Sequence, residues 1–283
     1  MKETFGLPVR RGCACVGLSH GAYYRQPLDW VVRDAEVIAA LNELVEAHPR
    51  WGFWKCVGRL QALGHGWNHK RIYRVYCGLG LNQPRRTRRK LPEREREPLL
   101  VPEQLDQVWS ADFMSDALYH GTRFRTFNVI DDHNREALAI EIDTSLRAPG
   151  VVRVLERLKE QRDVPDVIRV DNGPEFLSEA FTDWCRSNGV LIQYIQPGKP
   201  NQNAYIERFN RTFRSEVLNL YLFRSLHEVR EITSSWIDEY NDLRPHDALG
   251  GLPPSVYATR KLENSTFELS TLRGSLRQQE FLL

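Results

Sequence analysis

Apolar positions along this chain change their period near residue 100. Before that point they recur at intervals of three and four, the spacing of helices with one buried face. Val31, Ala35, Ile38, Leu41 and Val45 make one such stripe and predict a helix from about Trp30, followed by a break at Pro49 to Gly52 and a helix from about Phe53 to Leu63. A third helix, capped by Asn68, carries His69, Lys70, Arg71 and Arg74 on one side and Ile72, Val75, Tyr76 and Leu79 on the other. Ahead of these, Pro8 to Tyr24 reads as two short helices around a Gly17 turn, the second capped by Ser19. A basic face backed by an apolar one suits insertion into the major groove of DNA, so residues 30–81 are expected to form a helix-turn-helix and 1–29 a smaller segment of the same kind.

Residues 82–101 are rich in proline and charge without apolar periodicity, and read as a linker. After them the period shortens to two. Val108 to Met114, Arg123 to Ile130 and Ala137 to Ile142 predict three strands in succession, then a helix from Gly150 to Gln161. A fourth strand is expected over Asp166 to Val170, a helix started by Pro174 and running through Phe176, Phe181 and Trp184, and a fifth strand over Val190 to Ile195. The loop PGKPNQN leads into a long helix whose stripe is Ile206, Phe209, Phe213, Val217 and Leu220. A meander of strands followed by crossovers is the order of an α/β, ribonuclease H-like core with a mixed five-stranded sheet, here spanning 102–259, with a tail at 260–283.

The net charge of +2 conceals an asymmetry. Residues 1–100 hold 18 Lys and Arg against 9 Asp and Glu, and the rest hold 21 against 28. A basic front attracts a polyanion, while an acidic back holds nucleic acid only locally. No apolar run approaches the roughly 18 residues that a membrane span needs, and the start lacks the apolar core of a signal peptide, so the cytoplasm is the expected compartment and a membrane is not. Five scattered cysteines fit reduced thiols better than a disulfide framework. The order Cys56, His65, His69, Cys77 suggests zinc only weakly, because glycines flank His65 and His69 opens a helix.

Three acidic residues carry the candidate chemistry: Asp112 in VWSADFM, Asp171 in VIRVDNGPEF and Glu207 in NAYIERFN. The first two end apolar strands, where a carboxylate is costly to desolvate unless a divalent cation compensates it. Asn172, Gly173 and Pro174 turn the chain sharply and set Asp171 at a corner. Glu207 lies off the apolar stripe of its helix, in line with Asn203, Asn210, Arg211 and Arg214. Asp116, Asp131, Asp132 and Asp143 also sit near strand ends, and pattern alone leaves each open as the third ligand. Three converging carboxylates describe a site for Mg²⁺ and phosphodiester chemistry, two ions held together by the trio. Lys199, Gln202 and Asn203, on the loop and helix start beside this site, are expected to touch phosphate, as are Arg211 and Arg214 and, on the basic helix, Lys70, Arg71 and Arg74.

The stretches VWSADFMSDAL, RVDNGPEF, PGKPNQNAYIERFNRTFRSEVLN and YNDLRPHDALGGLPPSVY resemble the catalytic half of OrfB-type transposases of the IS-three insertion-sequence family, relatives of retroviral integrases. HPRWGFWKC and NHKRIYRVYCGLGL resemble the helix-turn-helix ahead of that core. Thirty-five residues separate Asp171 from Glu207, as in the family's acidic triad, which falls on Asp112, Asp171 and Glu207. The resemblance implies strand cleavage at element ends and strand transfer through a two-metal site, with Mn²⁺ able to substitute for Mg²⁺. It implies DNA partners, both terminal repeats and target, a homo-oligomer in the active complex, and an association with the bacterial nucleoid. It also implies a partner protein from an upstream frame, often fused by frameshifting. Arg244-Pro245-His246 matches the family's Arg-Pro-His run, with His246 either near DNA or capping a helix. A non-catalytic helix-turn-helix regulator would explain the basic helices but not the acids. A nuclease of the same fold would explain the acids equally well.

Overall fold

The computed structural model describes residues 6, 8–25, 29–82, 102–196 and 203–261. The chain divides into two compact units, one of residues 1–49 and 67–83, the other of residues 50–66 and 84–283.

The first unit is helical. Helices α1 (Val9–Cys15) and α2 (His20–Tyr24) pack together, and Ser19 Oγ caps the second by accepting from Ala22 N. The expected helix from Trp30 is broken: α3 covers Trp30–Arg33, and α4 covers Ala35–Ala47. Its inward residues are Val37, Leu41 and Leu44, whereas Val31 is exposed, so the buried stripe is not the one the spacing suggested. The cause sits at the break, where buried Asp34 receives Arg71 and Arg74 from α6 (His69–Gly78) and fixes which way the helix faces. Asn68 caps α6 through Lys70 N, and Ile72, Val75 and Tyr76 form its buried side.

The second unit contains α5 (Phe53–Ala62) and a five-stranded sheet of order β3-β2-β1-β4-β5. Strands β1 (Val108–Ala117), β2 (Arg123–Asp131) and β3 (Ala137–Asp143) form an antiparallel meander, with a register shift between Val129 and Ile130. Strands β4 (Val167–Val170) and β5 (Leu191–Tyr194) add in parallel beyond β1. Two helices, α7 (Ala148–Gln161) and α8 (Glu179–Ser187), cover one face over Trp109, Ala111, Phe127, Val129, Ile168 and Val170. Helices α9 (Ala204–Phe213) and α10 (Leu226–Asp242) pack over Met114, Leu118, Phe124, Ile130 and Ile142 on the other. This is the α/β, ribonuclease H-like architecture expected, with a mixed sheet between helical layers.

Two local expectations are corrected. Pro174 does not start α8: the chain turns over residues 174–177, and Ser178 caps the helix by accepting from Phe181 N. The long helix after the loop passes at Phe213 into a π-helical turn, Arg214–Leu218, closed by Asn219 N donating to Arg214 O at 2.8 Å. The wider turn shifts the buried stripe, so Val217 and Leu218 are inside while Leu220 is 38% exposed.

Candidate active site

Alternation along β1 sends Trp109, Ala111 and Phe113 to one side of the sheet and Ser110, Asp112 and Met114 to the other. Asp112 therefore rises toward α9, in a stripe of polar positions within an otherwise apolar face. Its Oδ1 accepts from Phe113 N at 2.8 Å, and its Oδ2 accepts from Asn210 Nδ2 at 2.8 Å. Asn210 Oδ1 in turn accepts from Asn128 Nδ2 at 2.7 Å.

Asp171 follows β4 directly. Parallel pairing of β1 with β4 runs from Val108 opposite Val167 to Ser110 opposite Arg169, and two further residues along each strand bring the chain to Asp112 and Asp171. Adjacent strands thus deliver the two carboxylates to the same level of the sheet. Asp171 Oδ1 accepts from Gly173 N at 2.9 Å. A Cβ on Gly173 would stand 2.9 Å from that same oxygen, so a side chain here would displace the carboxylate. Asn172 Nδ2 donates to Ile195 O at 2.9 Å, and Tyr194 OH donates to Phe176 O at 2.8 Å, tying the turn to the edge strand.

Glu207 lies in the first turn of α9, half-buried, while Ile206, Phe209 and Phe213 point into the core. Burial raises the Asp112 carboxyl to about 6, and the negative charges of Asp171 and Glu207 add to that rise. Bonds from Phe113 N and Asn210 oppose it. Among the described residues, none of the three acids forms an ion pair. The trio is close enough to interact electrostatically but is not drawn in to ligating distance, and no cluster of three His, Cys, Asp or Glu among the described residues is. Asp112 Oδ1 and Asp171 Oδ1 are turned instead onto the neighbouring backbone N–H groups of Phe113 and Gly173.

The other acids left open by pattern have different partners. Asp116 meets Arg214 at 3.3 Å, and Asp143 Oδ1 accepts from Thr144 N at 2.6 Å. Asp131 accepts from Asp106 N and His133 N, and Asp132 pairs with Arg169 at 2.6 Å.

The expected DNA-contacting residues scatter. Lys70 and Arg211 are exposed. Arg71 and Arg74 are bound to Asp34 at 2.8 and 2.6 Å, and Arg74 also stacks over Trp30 at 4.1 Å. Arg214 is held by Asp116 and by Ser115 O. Asn203 is buried, and Lys199 and Gln202 lie outside the described residues. His246 packs edge-on against Tyr240 at 4.7 Å and stands just before a short 3-10 turn, Asp247–Leu249, which its side chain does not cap by a hydrogen bond. Burial beside Arg244 and Lys55 holds its ring well below the usual range, to about 3. Two features of β1 and β2 escaped the reading of the sequence, one on each face of the sheet. Arg125 pairs with Glu175 while stacking over Phe113 at 4.2 Å, and the amide of Asn128 reaches the site through Asn210.

Two models described as integrase core domain match residues 102–200 and 188–254, and one described as HTH-like domain matches residues 32–90. The chain is 40% identical over 262 residues to the insertion element IS407 uncharacterized 31.7 kDa protein of Burkholderia multivorans, covering 92% of this chain and 94% of that protein. This chain belongs to the insertion-sequence transposases with an integrase core. A second relative, the insertion element IS476 uncharacterized 39.2 kDa protein of Xanthomonas euvesicatoria, is 38% identical over 91% of this transposase and 74% of its own length. The transposase for insertion sequence element IS629 of Shigella sonnei is 28% identical over 55% of this chain and 52% of its own. Among solved structures, the HTLV-2 integrase catalytic core domain in complex with magnesium aligns with 57% of this chain and 99% of that one, at 18% identity and a TM-score of 0.45. The transposase is thus a polynucleotidyl transferase that acts in DNA transposition. No helix among its described residues is long and apolar enough to cross a membrane.

Proposed function

We propose that Asp112, Asp171 and Glu207 are the catalytic carboxylates of this transposase, and that it uses Mg²⁺ to cleave strands at element ends and transfer them into target DNA. One observation carries the reading: Asp171 and Glu207 both act on the Asp112 carboxyl, and no cationic side chain among the described residues neutralises any of the three. Unneutralised carboxylates offer hard oxygen donors, which suit Mg²⁺ better than thiolate-seeking metals. Asp112, Asp171 and Glu207 would together hold the ions. When bound, such ions supply activation of a water or 3′-hydroxyl and stabilisation of the leaving oxygen, with Mn²⁺ an adequate replacement.

The chain's own residues do the positioning. The corner at Gly173 aims Asp171, the first turn of α9 presents Glu207, and Asn210 holds Asp112. Arg214, a cation anchored by Asp116 on the Asp112 face of β1, would support a phosphodiester backbone beside the trio. Exposed Arg211, with Lys199 and Gln202, would add contacts to DNA beside the trio; Lys70 would contact DNA from the helical unit, and Asn203 is too buried to do so. Arg71 and Arg74 serve chiefly to hold α3 and α4 on α6. A homo-oligomer joins the two ends, with a protein from an upstream frame as a further partner, and the nucleoid is the working compartment.

Labelled element-end duplexes and a target plasmid, incubated with protein and Mg²⁺, test the assignment. The parent should yield joined product, and Asp171→Asn or Glu207→Gln should yield neither cut nor joined DNA while still shifting the duplex in a gel. Retained cleavage in either variant refutes the trio, and cut ends without joining by the parent indicate a nuclease.

A further inference from the structure

Antiparallel pairing places Asn128 of β2 directly opposite Asp112 of β1, so both side chains leave the same face of the sheet toward α9. Asn128 is fully buried, 0% exposed, in a strand whose neighbours Phe127, Val129 and Ile130 are apolar core residues. A buried amide is costly unless both of its ends are bonded. Here only one is: Nδ2 donates to Asn210 Oδ1 at 2.7 Å, while Oδ1 has no partner among the described residues. An apolar residue at this position would remove that cost, so the amide has to be read by what its donor does.

A carboxamide is nearly symmetric in shape but opposite in polarity at its two ends. Asn210 could face Asp112 with its NH₂, which attracts the carboxylate, or with its oxygen, which repels it. The bond from Asn128 occupies Asn210 Oδ1 and leaves Asn210 Nδ2 to donate to Asp112 Oδ2 at 2.8 Å. The chain of donors therefore has a single direction, from the rigid middle of β2 through α9 to β1. We propose that Asn128 is a positioning residue of the transposition site: it locks the Asn210 amide so that Asp112 is held at one oxygen and aimed. The proposal rests on reading Asp112 as a site carboxylate. Asn128 touches neither DNA nor a reacting atom; it acts through Asn210.

The test is single-turnover cleavage of a labelled element-end duplex by the full chain, across a Mg²⁺ titration, for the parent, Asn128→Leu, Asn210→Leu and the double variant. Support of this kind behind a site carboxylate commonly contributes about ten- to a hundredfold in activity or metal affinity. Asn128→Leu should lose cleavage within that range and need more Mg²⁺ for half-maximal rate, with KM for the duplex unchanged and thermal stability equal to or above the parent's. Asn128→Ala replaces it if the leucine overfills the core. In the Asn210→Leu background the same change should cost nothing further, because the lock has nothing left to hold. Multiplicative losses in the double variant, or a rise in duplex KM in place of a fall in rate, overturn the positioning role. Asp171→Asn run alongside separates the two readings. If it cleaves, the trio fails. If it is dead and both Asn128 variants cleave at the parental rate, the trio stands and only the lock fails.

Discussion

Two groups of acids gather at the same sheet, and company separates them more than burial does, although Asp131 and Asp132 are fully buried and Asp112, Asp171 and Glu207 only partly so. Burial pushes Asp132, at the end of β2, up to about 6, as it does Asp112 in the middle of β1. Asp132 meets Arg169 at 2.6 Å, and Arg135 donates to its carbonyl. Asp131 beside it accepts two backbone N–H bonds, and Asp106 accepts from Arg162 Nη2 at 3.0 Å. That corner is a closed network of acids and arginines. Asp112, Asp171 and Glu207 form no ion pair among the described residues, and the charged groups that act on Asp112 are the other two acids. A raised carboxyl alone does not mark a site; a raised carboxyl without a cation does.

The contrast can be broken most sharply at the open group. Asp171→Asn or Glu207→Gln should reduce cleavage and joining by about a thousandfold or more, with unfolding by urea little changed. At the closed corner the effects should exchange. Asp132→Ala strands Arg169 in the core and should lose about 3–5 kcal/mol in urea unfolding, while the protein that remains folded cleaves at the parental specific rate. Equal damage to both properties in either variant would erase the distinction.

Asp112→Asn joins the two measures. The folded carboxyl titrates at about 6 against an ordinary 3.8, so the folded state binds the proton more tightly and loses stability as pH rises through that window. The amide carries no such loss. In metal-free buffer, Asp112→Asn should therefore match the parent near pH 3 and exceed it by about 2–3 kcal/mol above pH 7, while remaining inactive. A stability difference independent of pH would contradict the open-site picture. The smallest effect lies in the helical unit, where one cation is solvated and two are paired. Lys70→Ala should lower the slope of log affinity against log salt by about one, without changing stability. Arg71→Ala should instead destabilise the α3–α4 junction, because its partner Asp34 is buried.

Much of this was legible from the residues. The switch of apolar period located the sheet, and Asp112, Asp171 and Glu207 stood out because charged residues ended or interrupted apolar elements. What escaped depends on partners far along the chain. Asp34 lies 37 residues before Arg71, and no local periodicity announces that the pair will split a helix in two. The π-helical turn at Arg214–Leu218 likewise departs from the three-four spacing that placed Leu220 inside. Pro174 looked like a helix start because proline tolerates that position, but it sits in the turn whose geometry serves Asp171. Asn128 did leave a signal, a lone amide in the run FNVID, which becomes readable only once the register sets it opposite Asp112.

Helix α5 precedes the proline- and arginine-rich stretch, yet it is grouped with the sheet, where Lys55 reaches Glu216 at 3.7 Å and Pro245 packs within 3.4 Å of where a Cβ on Gly58 would stand. Glu216 also holds Arg244 at 2.8 Å and Trp236 Nε1 at 3.2 Å. Anyone excising the carboxyl-terminal portion at that stretch would strip a largely shielded glutamate of one of its counterions and bare the proline surface beneath. A shortened protein prepared for crystallography or assay should therefore keep α5, and because residues 67–83 pack with residues 1–49, it should keep that segment as well.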